Sequence, residues 1–145
     1  MHRKVAVAIV AALALVAASC GGTETTTLGR AELVRRVEVA CREAQATAAR
    51  EARAAGRTAD PIAGLQAGQK ALLDRLEGLE GSGAAKADFD AYKEGMRTRL
   101  ALIDKVVSAS RADRQRVLRS IQSEATAAGR KIEGAVRGLG LQGCS

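Results

Sequence analysis

Thiols are the residues best placed to do chemistry in this 145-residue chain, and there are three, Cys20, Cys41 and Cys144. A thiol can be acylated, can attack as a nucleophile beside a base, or can pair with a second thiol. The nucleophilic use lacks its partner, because the one histidine, His2, precedes an apolar run at the start of the chain. Beyond that run, serine or cysteine nucleophiles paired with histidine have no base. Histidine-ligated zinc, haem attachment through Cys-x-x-Cys-His and the Glu-x-x-His pairs of di-iron bundles fail in the same way. Asp88 with Asp90, or Glu77 with Glu80, are conceivable paired acids. Each lies near an expected helix end, where solvation and the helix dipole account for it. The glycines around Ser82 and Leu139 lack a preceding strand and a phosphate-binding lysine, so they read as turns and caps. The expectation is therefore no catalytic residue, no metal, no cofactor and no enzyme activity. Arg111, Arg114, Arg116 and Arg119 form the densest basic cluster and are the candidate anion-binding surface. With one Phe, one Tyr and no Trp there is little to stack on bases, so nucleic acid is not an expected partner.

The thiols acquire a context from the first twenty residues. Arg3 and Lys4 precede an apolar stretch from Val5 to Val16, and Ala17-Ala18-Ser19 supplies a small-residue cleavage site directly before Cys20. The apolar run through Ala18 is shorter than the roughly 18 to 20 residues a membrane-crossing helix needs, so it suits a cleaved signal peptide better than a permanent span. The pattern resembles the lipobox of bacterial lipoproteins. That resemblance implies removal of residues 1–19, a thioether-linked diacylglyceride on Cys20, and attachment to the outer face of the cytoplasmic membrane. Parity then agrees: with Cys20 acylated, Cys41 and Cys144 are left as an even pair in an oxidising, extracytoplasmic compartment. Loss of Arg3 and Lys4 leaves a mature chain that is still basic, from a full-length net charge of +7.

The elements that must position these residues are helices. Residues 20–27 read as a flexible polar tether, Gly-rich at its start and Thr-rich at its end, and strand signals are absent. From Leu28 onward apolar residues recur every three or four positions in four segments. The first carries Leu33, Val37, Cys41, Ala44 and Ala48, capped by Thr27 or Gly29 and fading near Gly56. Asp60-Pro61 opens the second, with Ile62, Leu65, Gln69, Leu72, Leu76 and Leu79, and Gly64 and Gly68 weaken its first half. After a break at Glu80-Gly81-Ser82-Gly83, the third stripe runs Phe89, Tyr92, Met96, Leu100, Ile103 and Val107. A capping-box pattern from Ser110 to Asp113 opens the fourth, with Val117, Ile121, Ala125, Ala128, Ile132, Val136 and Leu139, and Gly138 and Gly140 end it. Long helices joined by short loops predict an all-α fold: an antiparallel up-down-up-down four-helix bundle over 28–145, closed by one disulfide between the first helix and the C-terminal tail.

The disulfide can be tested by length. Cys41 lies about 18 Å along the first helix at 1.5 Å per residue. The segment from Gly140 to Cys144, extended, spans about 16 Å. In an up-down-up-down bundle both start from one pole, so the tail can fold back and reach Cys41, with Gly140 permitting the reversal and Leu141 adding an apolar contact. At these edges, Leu28-Gly-Arg-Ala-Glu-Leu33 with Cys41 and Gly138-Leu-Gly-Leu-Gln-Gly-Cys144, the chain resembles small uncharacterised helical extracytoplasmic lipoproteins of high-GC Gram-positive bacteria. The resemblance implies an exported bundle with paired cysteines and no particular activity.

These readings converge on a lipid-anchored, non-catalytic binding or structural module of the cell envelope, with the membrane as partner through Cys20 and a protein partner on a bundle face. Two alternatives stay open. One is a carrier of an apolar small molecule between its helices, marked by a pocket above about 300 Å³. The other is a polyanion-binding protein acting through its arginine-rich surface, marked by salt-sensitive binding.

Overall fold

The computed structural model describes residues 25–56 and 60–144. The expected signal peptide, the expected acylation site Cys20 and the first part of the expected tether lie outside the described residues. The described chain forms β1 (Thr26–Leu28), α1 (Arg30–Ala55), α2 (Pro61–Leu76), β2 (Leu79–Gly81), α3 (Ala85–Ser108) and α4 (Arg114–Leu139). None of these helices is long and apolar enough to cross a membrane.

Local chemistry sets most of the boundaries. Gly29 caps α1 in an extended conformation and Gly56 ends it at φ 73°. The Asp60 carboxylate accepts from the Ile62 amide at 3.1 Å and Pro61 occupies the first helical position, as the Asp-Pro pair predicts. At the Ser110–Asp113 box, Ser110 Oγ accepts from the Asp113 amide at 3.2 Å and donates to Asp113 Oδ2 at 2.7 Å. That turn precedes the continuous helix, which starts one residue later than the box.

The helices alternate in direction. Along α2, Gly64 faces Ala48 and Ala52 of α1 whereas Gly68 faces Ala44 and Ala48, so α2 descends as α1 climbs. Arg97 of α3 pairs with Glu77 just past α2 at 2.7 Å, and Gln66 of α2 donates to Asp104 at 2.7 Å. Lys131 of α4 meets Glu94 at 2.8 Å and Lys105 meets Glu124 at 3.4 Å. The result is the antiparallel bundle the periodicity predicts. Its densest core lies at the pole where α1 begins and α4 ends: Leu33, Val37, Leu76, Phe89, Tyr92 and Leu139 are the largest fully buried side chains. A smaller apolar cluster of Leu102, Val106 and Ile121 sits toward the opposite pole.

The Cys41–Cys144 disulfide is formed, with Cα atoms 5.6 Å apart across 103 residues. Gly140 turns the chain at φ 78°, its amide donating to Val136 O at 2.9 Å, and Leu141 donates to the same carbonyl at 3.1 Å. The tail then doubles back along α1: Leu141 is buried and the Gln142 amide donates to Glu38 Oε1 at 3.0 Å. Arg30 Nη2 donates to the Gly138 carbonyl at 2.6 Å, locking the two helix ends together.

Three expectations are corrected. First, the chain contains a small parallel ladder in which Thr26, Thr27 and Leu28 pair with Leu79, Glu80 and Gly81. The end of the expected tether thus belongs to the folded domain. The ladder is held by Thr26 N to Gly78 O and Ser82 N to Leu28 O, both 3.0 Å, and Leu28 is buried. Three-residue strands are too short to show an alternating pattern, which is why periodicity misses them. Second, Leu65 is 41% exposed rather than in the core, because α2 is rotated to place Gly64 and Gly68 against α1. Third, the far half of the bundle buries Leu102 and Val106 where the stripe places Leu100 and Val107, which are half-buried, and Ala125 is exposed.

The glycine edge is a contact surface as well as a weak helix. A Cβ on Gly68 would lie 2.8 Å from Ala48 Cβ and 3.1 Å from the Ala44 carbonyl. Gly68→Val is expected to lower unfolding stability by about 1 to 3 kcal/mol through overpacking. Gly134→Ala, in α4 with nothing within 4 Å of the added Cβ, should instead raise it by up to about 1 kcal/mol. Denaturant titration of both variants checks the contrast, and a stabilised Gly68→Val would remove the close-approach explanation.

Candidate functional site

The bundle is not equally closed on all sides. α1 packs against α2 through small residues, α3 packs against α4 through Gly95 and Ile132, and α2 meets α3, but α1 and α4 have little direct contact. They are joined at the well-packed pole by the Arg30–Gly138 bond and the start of the tail, and at mid-height of α1 by the disulfide. Beyond Cys41 the outer half of α1 is alanine-rich and largely exposed, so it does not fill the space facing α4. A half-open apolar cleft of about 570 Å³ results. Ile62 and Leu65 of α2, Leu102, Ile103 and Val106 of α3, and Leu118, Ile121, Ala125 and Ile132 of α4 supply its walls. Leu65 and Leu118, 41% and 42% exposed, are the large apolar side chains most open to solvent among the described residues, and both line the cleft.

A narrower cleft of about 170 Å³ opens beside it, walled by Ala44, Ala48, Gly68, Gln69, Leu72 and Met96. Leu65, Arg99 and Cys144 line both clefts and mark the waist between them. Under the waist, the fully buried Tyr92 donates its hydroxyl to Cys41 Sγ at 3.6 Å, the bridged sulfur having no proton to give. Burial pushes the Tyr92 phenol up to about 12, against the pull of the nearby Arg99 charge.

The residues singled out in the sequence are dispersed. Arg114 pairs with Asp60, tying the start of α4 to the cap of α2, and Arg116 pairs with Asp113 at 2.6 Å. The Asp60 carboxyl is held below the ordinary carboxylate range, first by the Ile62 amide and then by Arg114. Arg119 faces a separate shallow depression with Arg130 and Thr126. Two of the four arginines are thus engaged in helix-end ion pairs, and the four do not converge on one point. The imagined acid pairs are also divided: Glu77 is held by Arg97, while Lys86 bridges Glu80 at 2.9 Å and Asp90 at 3.2 Å. Among the described residues no group of His, Cys, Asp and Glu could hold a metal ion.

Leu65, Arg99 and Leu118 were not legible as site residues. The available signal was width: in the second half of α3, Leu100, Leu102, Ile103, Val106 and Val107 span a wider apolar arc than one buried stripe needs. Comparison with protein-family models matches none, and comparisons with curated proteins and with solved structures also match none.

Tyr92 reports on the waist directly, because it is the one tyrosine of the chain. Its raised value means that stability due to the neutral phenol is complete below pH 10 and is lost as the pH climbs through about 12. Phenolate absorbance should show a midpoint near 12 in the native protein, falling to near 10 in denaturant. A native midpoint near 10 would contradict the burial of this phenol.

Proposed function

We propose that this protein is a lipid-anchored extracytoplasmic helical bundle that binds a single-chain amphiphile in the cleft between α2, α3 and α4, without catalysing a reaction on it. The cleft carries this reading. Its volume lies within the range of small-molecule sites, and its walls are almost wholly aliphatic. The walls offer an occupant aliphatic contact along three helices and few polar partners. An alkyl chain matches both the shape and the chemistry, and its burial would cover rim apolar surface left exposed in the empty cleft.

The anchor supports the same reading from the sequence side. Acylation of Cys20 after removal of residues 1–19 would place the domain beside a membrane, where amphiphiles are abundant. Thr26 is already held in the β-ladder, so the free link from Cys20 reaches at most about 20 Å. The polyanion alternative loses ground because Arg114 and Arg116 have carboxylate partners of their own.

Two measurements test the proposal. Intact mass of the membrane-extracted full-length product should match cleavage before Cys20 plus a diacylglyceride, with two thiols becoming alkylatable only after reduction. An unmodified secreted product would overturn the anchor. For the cleft, Ala125→Phe should fill the wall and weaken binding of a fluorescent alkyl-chain probe at least tenfold while leaving the far-ultraviolet circular dichroism unchanged. Undiminished binding in that variant would remove the cleft as the site.

A further inference from the structure

The two clefts differ in more than size. The wider one is apolar for most of its length. The narrower one ends on polar groups. Gln69 stands in its wall with Oε1 buried and without a hydrogen-bond partner among the described residues. Leaving such an amide oxygen unpaired costs free energy that a bound partner would recover. Arg99 lines both clefts at the waist, and among the described residues it makes no ion pair. Its charge is close enough to act on the Tyr92 phenol beneath. No carboxylate lines the narrower cleft. Glu133 lines the wider one, on the α4 side.

Resting on the cleft reading above, we propose that the narrower cleft is a head-group subsite for an anionic amphiphile, with Arg99 as its charge partner and the Gln69 amide as its neutral hydrogen-bonding partner. The head then lies beside Cys144 and the alkyl chain runs along α4 toward Leu118. The narrower cleft, of about 170 Å³, has room for a phosphate or carboxylate group. A singly protonated phosphate monoester meets both demands at once: its oxygens accept from the guanidinium, and its remaining O–H can donate to Gln69 Oε1. Arg99 is a fork-shaped donor suited to such oxygens. Charge therefore selects the head and the aliphatic wall selects the tail, which a purely apolar pocket could not do.

The test uses the full-length lipidated chain in phosphatidylcholine nanodiscs, with empty nanodiscs as the blank, titrated calorimetrically with octyl phosphate, octanol and octyltrimethylammonium. Octyl phosphate should bind at least tenfold more tightly than octanol, and the cationic amphiphile more weakly than either. Arg99→Gln should bring octyl phosphate to within about twofold of octanol by weakening octyl phosphate far more than octanol. Gln69→Leu should weaken octyl phosphate by a smaller factor, and Glu133→Gln should strengthen it or leave it unaltered. Thermal melts of the three variants confirm that each is folded. Equal binding of phosphate and alcohol, or a preference for the cation, would overturn the head-group subsite while leaving an apolar cleft in place. Binding of none of the three would overturn the cleft reading and this one together.

Discussion

The Cys41–Cys144 bridge ties the middle of α1 to the tail that follows α4, and the shape of the bundle follows from that restriction. Closure of a loop of 103 residues contributes about 4 to 5 kcal/mol in the chain-entropy account, a large share of the 5 to 15 kcal/mol typical of a domain. A bundle whose helices are rich in alanine buries little area per residue, so a covalent tie matters more here than in a leucine-rich core. The tie is backed by packing on its inner side: Tyr92 and Phe89 are fully buried, and they are the chain's whole aromatic content. The half of the bundle from the pole where α1 begins to the disulfide therefore holds the aromatic volume, the tail and the β-ladder, and the other half holds a thin aliphatic cluster.

That asymmetry explains why a cleft exists at all. Four helices packed with uniform side chains would close every seam. Here the small residues of α1 meet the glycines of α2, drawing those two helices together, and Gly95 lets α4 approach α3. Two tight pairs meeting through α2 and α3 leave the α1–α4 side open wherever the tail does not cover it. The apolar side chains of α2, α3 and α4 that would have faced α1 are left as the walls of the cleft. Leu65 and Leu118 stay exposed because of helix rotation and separation, and not because their sequence positions are polar.

Much of this architecture was legible in the residues, and the reason differs from element to element. Helix ends were legible because their chemistry is local: Asp60-Pro61, Gly56 and Gly140 act within three or four residues of themselves. The disulfide was legible because parity and helix length are both counted along the chain. What escaped depends on contacts between segments far apart in sequence. The Thr26–Leu28 strand exists because Leu79–Gly81 lies beside it, and nothing in either tripeptide announces the other. The rotation of α2 is set by Ala44 and Ala48, more than a dozen residues before the glycines they meet. The waist was hidden for the same reason: Gln69, Arg99 and Cys144 come from three elements and acquire a joint meaning only when the tail folds back.

The basic residues illustrate how density along the chain can mislead. Arg111, Arg114, Arg116 and Arg119 are close in sequence, yet their helical spacing and the nearby carboxylates spend two of them on stabilising the pole at which α2 and α4 begin. Their position near the start of α4 opposes the helix dipole, and the Asp60 and Asp113 carboxylates offset that cost. Arg99 stands two residues from Arg97, which is taken up by Glu77, and it sits mid-helix, where the dipole has little influence. With no carboxylate paired to it among the described residues, its charge stays available at the junction of the two clefts. A guanidinium beside low-dielectric aliphatic walls exerts a stronger field on a bound group than the same guanidinium on an open helix face. Arg99 is itself exposed, so what sets it apart from the four is its place beside aliphatic walls and not burial.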